Sequence, residues 1–275
     1  MTNGQKNFLT WVFPVLLVIG ISFYIYKDLY KENGTSETQK GVNQNIPVSI
    51  KTDQSDQNYK VEAVPVVETN AKKSVQSEAR MPDLNLPVVN YSNIDDAAFK
   101  IASQSIGILV ADIKKDPRNE DSWLNLGIFR KMLGDYSVSV GILNYVVALW
   151  PNDYVVYNNL ADLYQFYIKN YPLAEKNWLK VVELNPIYID AYTNLYPLYS
   201  DPNYKDKQSL ARPILLKGLE NNPKSIQLMM YLARHYKNLG DKNMATVYYN
   251  KAISEAKAQN NDQVASSIQS EAQGL

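Results

Sequence analysis

Side chains able to do covalent or proton-transfer chemistry are scarce in this chain. It has one histidine, His235, and no cysteine. The missing thiols exclude disulfide frameworks, thiolate metal sites and a cysteine nucleophile. A lone imidazole rules out a histidine metal cluster and leaves a serine nucleophile a single possible base. His235 stands beside Arg234 in a stretch with helical spacing, and no carboxylate lies three or four positions away to orient it. A helix-surface histidine is therefore expected rather than a general base. Asp162 and Glu183 suggest no paired geometry, so solvated or salt-bridged roles are expected for them. There is no GxxxxGK(S/T) phosphate loop, GxGxxG turn, HExxH helix or GxSxG elbow. Lys+Arg and Asp+Glu are both 28, and a net charge of zero argues against a nucleic-acid binder. No catalytic residue, cofactor or metal is expected, and the chain reads as a non-enzyme.

The elements that could position a site begin with an apolar run. Phe8 to Tyr26 contains no charge, with Trp11 near one end and Tyr24 and Tyr26 near the other. Nineteen helical residues span ~28 Å, close to the ~30 Å hydrocarbon core of a bilayer. The run is long for a signal peptide and leads into Phe23-Tyr24-Ile25-Tyr26-Lys27 without a small-residue cleavage pattern. Residues 1–30 are therefore expected to be a short tail and a single transmembrane helix at about 8–26, an uncleaved anchor. Lys6 precedes it and Lys27 and Lys31 follow it, so flanking charge barely distinguishes the two orientations. The short tail and the absence of cysteine favour the repeat domain on the extracytoplasmic side.

Residues 31–93 are rich in Asn, Gln, Ser, Thr, Lys and Glu and show no sustained period. Such a stretch buries too little apolar surface to offset its chain entropy, so a disordered polar linker is expected. Over 63 residues its root-mean-square reach is ~45 Å.

A repeat governs the remainder. Pro117, Pro151, Pro186 and Pro223 step by 34, 35 and 37, and so do Trp123, Tyr157, Tyr192 and Met229. A second set, Ser139, Ala174, Ala211 and Ala245, steps by 35, 37 and 34. The shift between the two rhythms places insertions near Lys169–Pro172 and Ser200–Gln208, where turns belong. Trp123, Leu126, Gly127 and Arg130 have the spacing of one helix face. Small residues at Gly127, Ala161 and Ala233, and at Ser139, Ala174, Ala211 and Ala245, allow paired helices to approach closely. The recurrent tyrosines 157, 164, 192, 199, 236 and 249 are expected to pack in the core.

Trp123-Leu124-Asn125-Leu126-Gly127, completed by Gly134, Tyr136, Leu143 and Pro151, resembles the tetratricopeptide repeat (TPR) pattern. The resemblance covers about residues 120–257. It departs from the pattern at Arg130, Ser139, Tyr196, Gly218 and Lys257. The resemblance implies an all-α fold, a right-handed α-solenoid of helix–turn–helix units, here preceded by the transmembrane helix and linker. Residues 118–258 divide into four units, at 120–153, 154–188, 189–225 and 226–258. Residues 94–117 are expected to form an N-terminal capping helix, with Ser92 and Asp95 resembling a capping box and Ala98, Ala102, Ile106, Leu109, Val110 and Ile113 on its apolar face. Residues 259–275 are expected to be a polar C-terminal cap or tail.

The resemblance further implies a protein or peptide partner held in the groove of the first helices. That groove maps to Leu124, Asn125, Ile128 and Met132, then Asn158, Asn159, Asp162 and Phe166, then Asp190 and Asn194, then Met230, Tyr231, Arg234 and Lys237. Members of the family that grip a C-terminal carboxylate carry Lys and Asn where this chain has Leu124 and Ile128. They carry Lys and Arg where it has Asp190 and Asn194, and only Asn159 fits. No carboxylate clamp is expected. Instead Leu124, Ile128, Met132 and Phe166 should take apolar anchors, with Asn158 and Asn159 bonding the partner's backbone. The functional expectation is a membrane-anchored scaffold for protein–protein interaction, as in assembly of an envelope or membrane complex. The alternative is a non-catalytic subunit of an enzyme complex, or a cryptic enzyme.

Overall fold

The structure, a computed structural model, describes residues 80–275. The apolar run at 8–26 and linker residues 31–79 lie outside the described residues. Among the described residues no helix is long and apolar enough to cross a membrane.

Ten α-helices and no strand occur among the described residues. Helix α1 is Asp96–Lys115. Four antiparallel pairs follow: α2 (Glu120–Met132) with α3 (Tyr136–Leu149), and α4 (Tyr154–Asp162) with α5 (Tyr171–Leu184). Next come α6 (Ile189–Ser200) with α7 (Ala211–Asn221), and α8 (Ile226–Asn238) with α9 (Lys242–Ala258). Helix α10 (Asp262–Ala272) packs on α9 and closes the stack. These are the helix pairs that the tetratricopeptide resemblance implies.

Local chemistry sets the boundaries. Asn119, Asp153, Asn170, Ser225, Asp241 and Asn261 each cap a helix start by accepting a hydrogen bond from a backbone N–H of the first turn. Gly134 and Gly240 follow the ends of α2 and α8 at φ of 81° and 77°, a left-handed turn that suits glycine. For α1 the cap is Asp95 alone, whose side chain accepts from Ala98 N, while Ser92 N donates instead to Leu133 O.

The repeated aromatic position has a repeated hydrogen bond. Trp123 Nε1 donates to Pro117 O, Tyr157 OH to Pro151 O and Tyr192 OH to Pro186 O, at 3.0, 3.0 and 2.6 Å. Each ring thereby ties its first helix to the turn six residues before it. Met229 takes the same position in the fourth unit and has no donor to do this. Behind the rings, Ala161, Ala174, Ala211, Ala233 and Ala245 are buried at helix contacts. Ser139, a departure from the family pattern, donates to Gly127 O across the α2–α3 contact at 2.8 Å. Gly218, another departure, lets α7 approach the Tyr192 ring, whose Cγ lies 2.8 Å from where a Cβ would stand.

The second insertion falls where the rhythm shift locates it, and the first lies just before the expected Lys169–Pro172. The first widens the end of α4 into a π-turn, Leu163–Ile168, followed by Lys169 in the left-handed region at φ 61°. The second is a 3-10 segment, Pro202–Leu210, none of whose residues is buried.

Residues 80–93 differ from the expected linker. Leu84, Leu86 and Val88 are half-buried and alternate with exposed Asn85, Pro87 and Val89, a period-2 extended strap. Leu84 and Val88 pack against the core around Trp123. Arg130, buried on α2, donates through Nη2 to Leu86 O (2.9 Å) and through Nη1 to Pro87 O (2.7 Å) and Asp135 (3.1 Å). Tyr91 N and Ser92 N both donate to Leu133 O. The family departure at Arg130 is thus the residue that fastens the strap, and ordered chain begins well before residue 94.

Candidate protein-interaction surface

The first helices lie side by side, and at each seam between neighbours polar side chains are already matched. Lys131 Nζ of α2 lies 2.7 Å from Asp162 Oδ2 of α4 and 5.8 Å above the Tyr167 ring. Gln165 Nε2 donates to Asn194 O of α6 at 3.1 Å, and its Oε1 accepts from Trp178 Nε1 at 2.6 Å. Tyr196 of α6 meets Tyr231 and His235 of α8 edge-on at 5.6 and 5.7 Å. Arg234 of α8 makes a bidentate pair with Glu271 of α10, at 2.7 and 2.8 Å. Glu271 also accepts from Tyr249 OH at 2.9 Å. The guanidinium holds the Glu271 carboxyl down to about 2, while burial and Glu271 push the Tyr249 phenol up to about 12.

The sequence-predicted groove residues therefore separate into two groups. Met132 and Phe166 are large, apolar and exposed, at 42% and 44%. Ile128 and Asn158 are half-buried, as is Leu124, which packs against the N-terminal core. Asn194 is also half-buried, and its carbonyl serves Gln165. Four of the polar members are engaged within the chain. Asn125 Nδ2 donates to Asp121 O, Asp162 pairs with Lys131, and Arg234 pairs with Glu271. Asn159 is only 8% exposed and its Nδ2 donates to Val155 O one turn back, which leaves little of it for a partner's backbone. Met230 is likewise buried. Asp190, at the start of α6, is exposed as well, so what remains open to a partner is mainly apolar, with one carboxylate.

Sequence reasoning passed over Lys131, Tyr167 and Ile168. Their signal was Phe166-Tyr167-Ile168, three consecutive apolar residues directly before Lys169-Asn170. All three are exposed, and a run of this kind on a surface marks function or a fault in packing. Tyr136 lies 5.1 Å from Tyr167 across the ends of the first two units.

Two carboxylates sit in unusual surroundings. Glu175, buried on α5, accepts from Tyr199 OH (3.1 Å), from Tyr204 OH and from Lys207 Nζ (3.0 Å). Burial and the carboxylate raise both phenols. Both Glu175 oxygens are taken, and the network moors the Pro202–Leu210 segment to α5. Glu120 is raised to about 7 by burial and by the Asp153 carboxylate beside it. The cavities at Arg80–Asp83 with Gly141 and at Gln165–Asp201 lie elsewhere. His235 is half-buried rather than a surface residue: Tyr196 OH lies 3.3 Å from its Nδ1, and burial and Arg212 lower its pKa. Among the described residues no three of His, Cys, Asp and Glu converge as metal ligands.

No family model and no curated protein matches the chain. Solved structures similar to it include a crystal structure of MamA, at 22% identity over 61% of this chain and 98% of that one, TM-score 0.47. MamA residues 41 to the end from Desulfovibrio magneticus RS-1 is 20% identical over 58% of this chain and 93% of that one, TM-score 0.45. Pseudomonas aeruginosa pilF is 16% identical over 62% of this chain and 83% of that one, TM-score 0.45. Likeness at this level carries no functional inference.

Proposed function

We propose that this chain is a non-catalytic scaffold that holds a protein or peptide partner on the surface formed by its first helices. In this reading the apolar run at 8–26 anchors it in a membrane and the repeats lie on the extracytoplasmic side. It would then act in assembly of a membrane or envelope complex. The observation that carries the binding role is the pairing of charges along the seams. With Asp162 and Arg234 both neutralised within the chain, the exposed Met132 and Phe166 are the large apolar groove side chains left to gain from a partner. Neither Glu175, whose oxygens are occupied, nor half-buried His235 is placed to take a proton from a substrate.

The test is a photo-crosslinking amino acid at position 166 of the full chain in native membranes, compared with one at exposed Val247 on α9. A discrete protein adduct from 166 and none from 247 is expected. Equal adducts at the two positions, or none at either, would place the binding surface elsewhere. The anchor is tested separately: the full chain should stay with membranes in alkaline carbonate, and protease protection in intact cells should report the side.

A further inference from the structure

The strap fastened by Arg130 is not the only segment of its kind in the chain. Leu86-Pro87-Val88-Val89 has a near copy in Val64-Pro65-Val66-Val67, 22 positions earlier, and a looser one in Ile46-Pro47-Val48-Ser49. Both earlier segments lie outside the described residues, so the seated strap is what shows how such a sequence is held.

Holding the strap requires little beyond this pattern. Arg130, itself 2% exposed, donates to the carbonyls of Leu86 and Pro87, and every residue has a carbonyl to offer. Side chains count only at alternate positions: Leu86 and Val88 are half-buried, while Asn85, Pro87 and Val89 face out. The register that puts Pro65 in place of Pro87 brings Val64 and Val66 to those two half-buried positions. Proline fixes its own φ and keeps the residue before it extended, and β-branched valine favours the same backbone. Segment 64–67 thus has the strap's shape built in and needs little ordering to replace it. With no occupant, the buried Arg130 would keep only its bond to Asp135, and the core around Trp123 would lose the cover of Leu84 and Val88.

We propose that the cleft around Arg130 is a binding site for aliphatic-Pro-Val segments of this chain, with Val64–Val67 as the reserve occupant that enters when Leu84–Val89 is drawn away. Two features otherwise keep the strap in place. Glu62 falls at the position of Leu84 and brings no apolar contact, and closing the loop of 22 residues at 68–89 disfavours the substitute about a hundredfold. Exchange keeps the core covered and shortens the chain between the apolar run and the repeats by 22 residues. Only this shorter reach from a membrane rests on the anchor reading; the exchange goes beyond the scaffold reading and does not need it.

The chain has no cysteine, so two introduced thiols report alone. Lys114 Nζ donates to Asn85 Oδ1 at 3.1 Å, which makes Lys114→Cys a probe beside the strap. In the full chain in detergent micelles, Lys114→Cys is combined with Ala63→Cys, the position in register with Asn85, and treated with a short bismaleimide. Crosslinking within the chain should be weak. Leu86→Lys with Val88→Lys sets like charge against Arg130 and should raise it by about tenfold or more, with a smaller rise for the milder Leu86→Gln. Adding Val64→Lys with Val66→Lys should abolish the gain, and Asn58→Cys in place of Ala63→Cys should crosslink far less. Leu86 and Val88 precede α1, and retained helical circular dichroism checks the fold. No rise when the strap is displaced, equal yields from 58 and 63, a yield untouched by the changes at 64 and 66, or products only between two chains would overturn the proposal.

Discussion

Gly218 and Gly141 should respond in opposite directions to the same substitution. An Ala Cβ at 218 would stand 2.8 Å from Tyr192 Cγ and 3.0 Å from its Cβ, atoms at the root of that side chain. Tyr192 cannot swing aside. It is fully buried, its OH donates to Pro186 O, and Asn221 Nδ2 donates to that OH, both at 2.6 Å. Helices α6 and α7 must therefore part by several tenths of an ångström, an overpacking cost of ~1–3 kcal/mol. The higher helix propensity of Ala returns ~1 kcal/mol, so Gly218→Ala should destabilise by up to ~2 kcal/mol. At Gly141, within α3, nothing lies within 4 Å of the added Cβ. There the propensity gain acts alone, and Gly141→Ala should stabilise by ~0.5–1 kcal/mol. For a domain of this size 1 kcal/mol moves Tm by ~2–4 °C. Thermal unfolding followed by helical circular dichroism reads both. Because a stack of repeats can open locally, hydrogen exchange on α6 and α7 should also rise in Gly218→Ala. A gain in stability for Gly218→Ala like that of Gly141→Ala would show that the α6–α7 approach is not tight.

Three further outcomes follow from side chains placed by the stack. Glu120 keeps its proton in the fold up to about 7 against 4.5 in the open chain, so its contribution is full at acid pH and lost as pH rises through that window. The shift converts to ~3 kcal/mol, and solvent screening of this partly exposed group reduces it to ~1 kcal/mol. Urea unfolding should find Glu120→Gln more stable than the parent at about pH 8 and equal to it at about pH 5; a pH-independent difference would contradict the Asp153 pairing. Arg130→Met leaves Leu86 O, Pro87 O and Asp135 without their donor and should cost ~3–5 kcal/mol, with limited proteolysis cutting within 84–92; a strap that stays protected would refute its role. Glu271 is held at about 2 against 4.5 when free, so the stability it lends is present above 4.5 and lost as pH falls toward 2. Glu271→Gln should loosen α10 at neutral pH by up to ~1 kcal/mol, read as faster hydrogen exchange confined to 262–272, and unchanged exchange there would show that Ala265 and Ile268 alone hold the helix.

The local order of residues was enough to determine the helix pairs. An aromatic residue six positions after the first three repeat prolines, small residues at contact positions, and caps such as Asn119, Ser225 and Asp241 all act within one or two turns of chain. The shift between the two repeat rhythms located the second insertion for the same reason, while the first is taken up just before the expected turn, in the widened last turn of α4. The strap was hidden because three alternating apolar residues, Leu84, Leu86 and Val88, cannot hold an extended chain by themselves. Their order comes from Arg130, which bonds Leu86 O across 44 residues. The candidate surface was legible only in part, and again the cause is distance along the chain. The tetratricopeptide resemblance implied which side chains line the groove of the first helices, so Met132 and Phe166 could be named. Which outward side chains remain available depended on Lys131 reaching Asp162 across 31 residues and Arg234 reaching Glu271 across 37. The cavity at Gln165–Asp201 needed more still. A π-turn in one helix and a proline in the next open a gap only because packing sets them side by side, and no periodicity within either segment encodes that meeting.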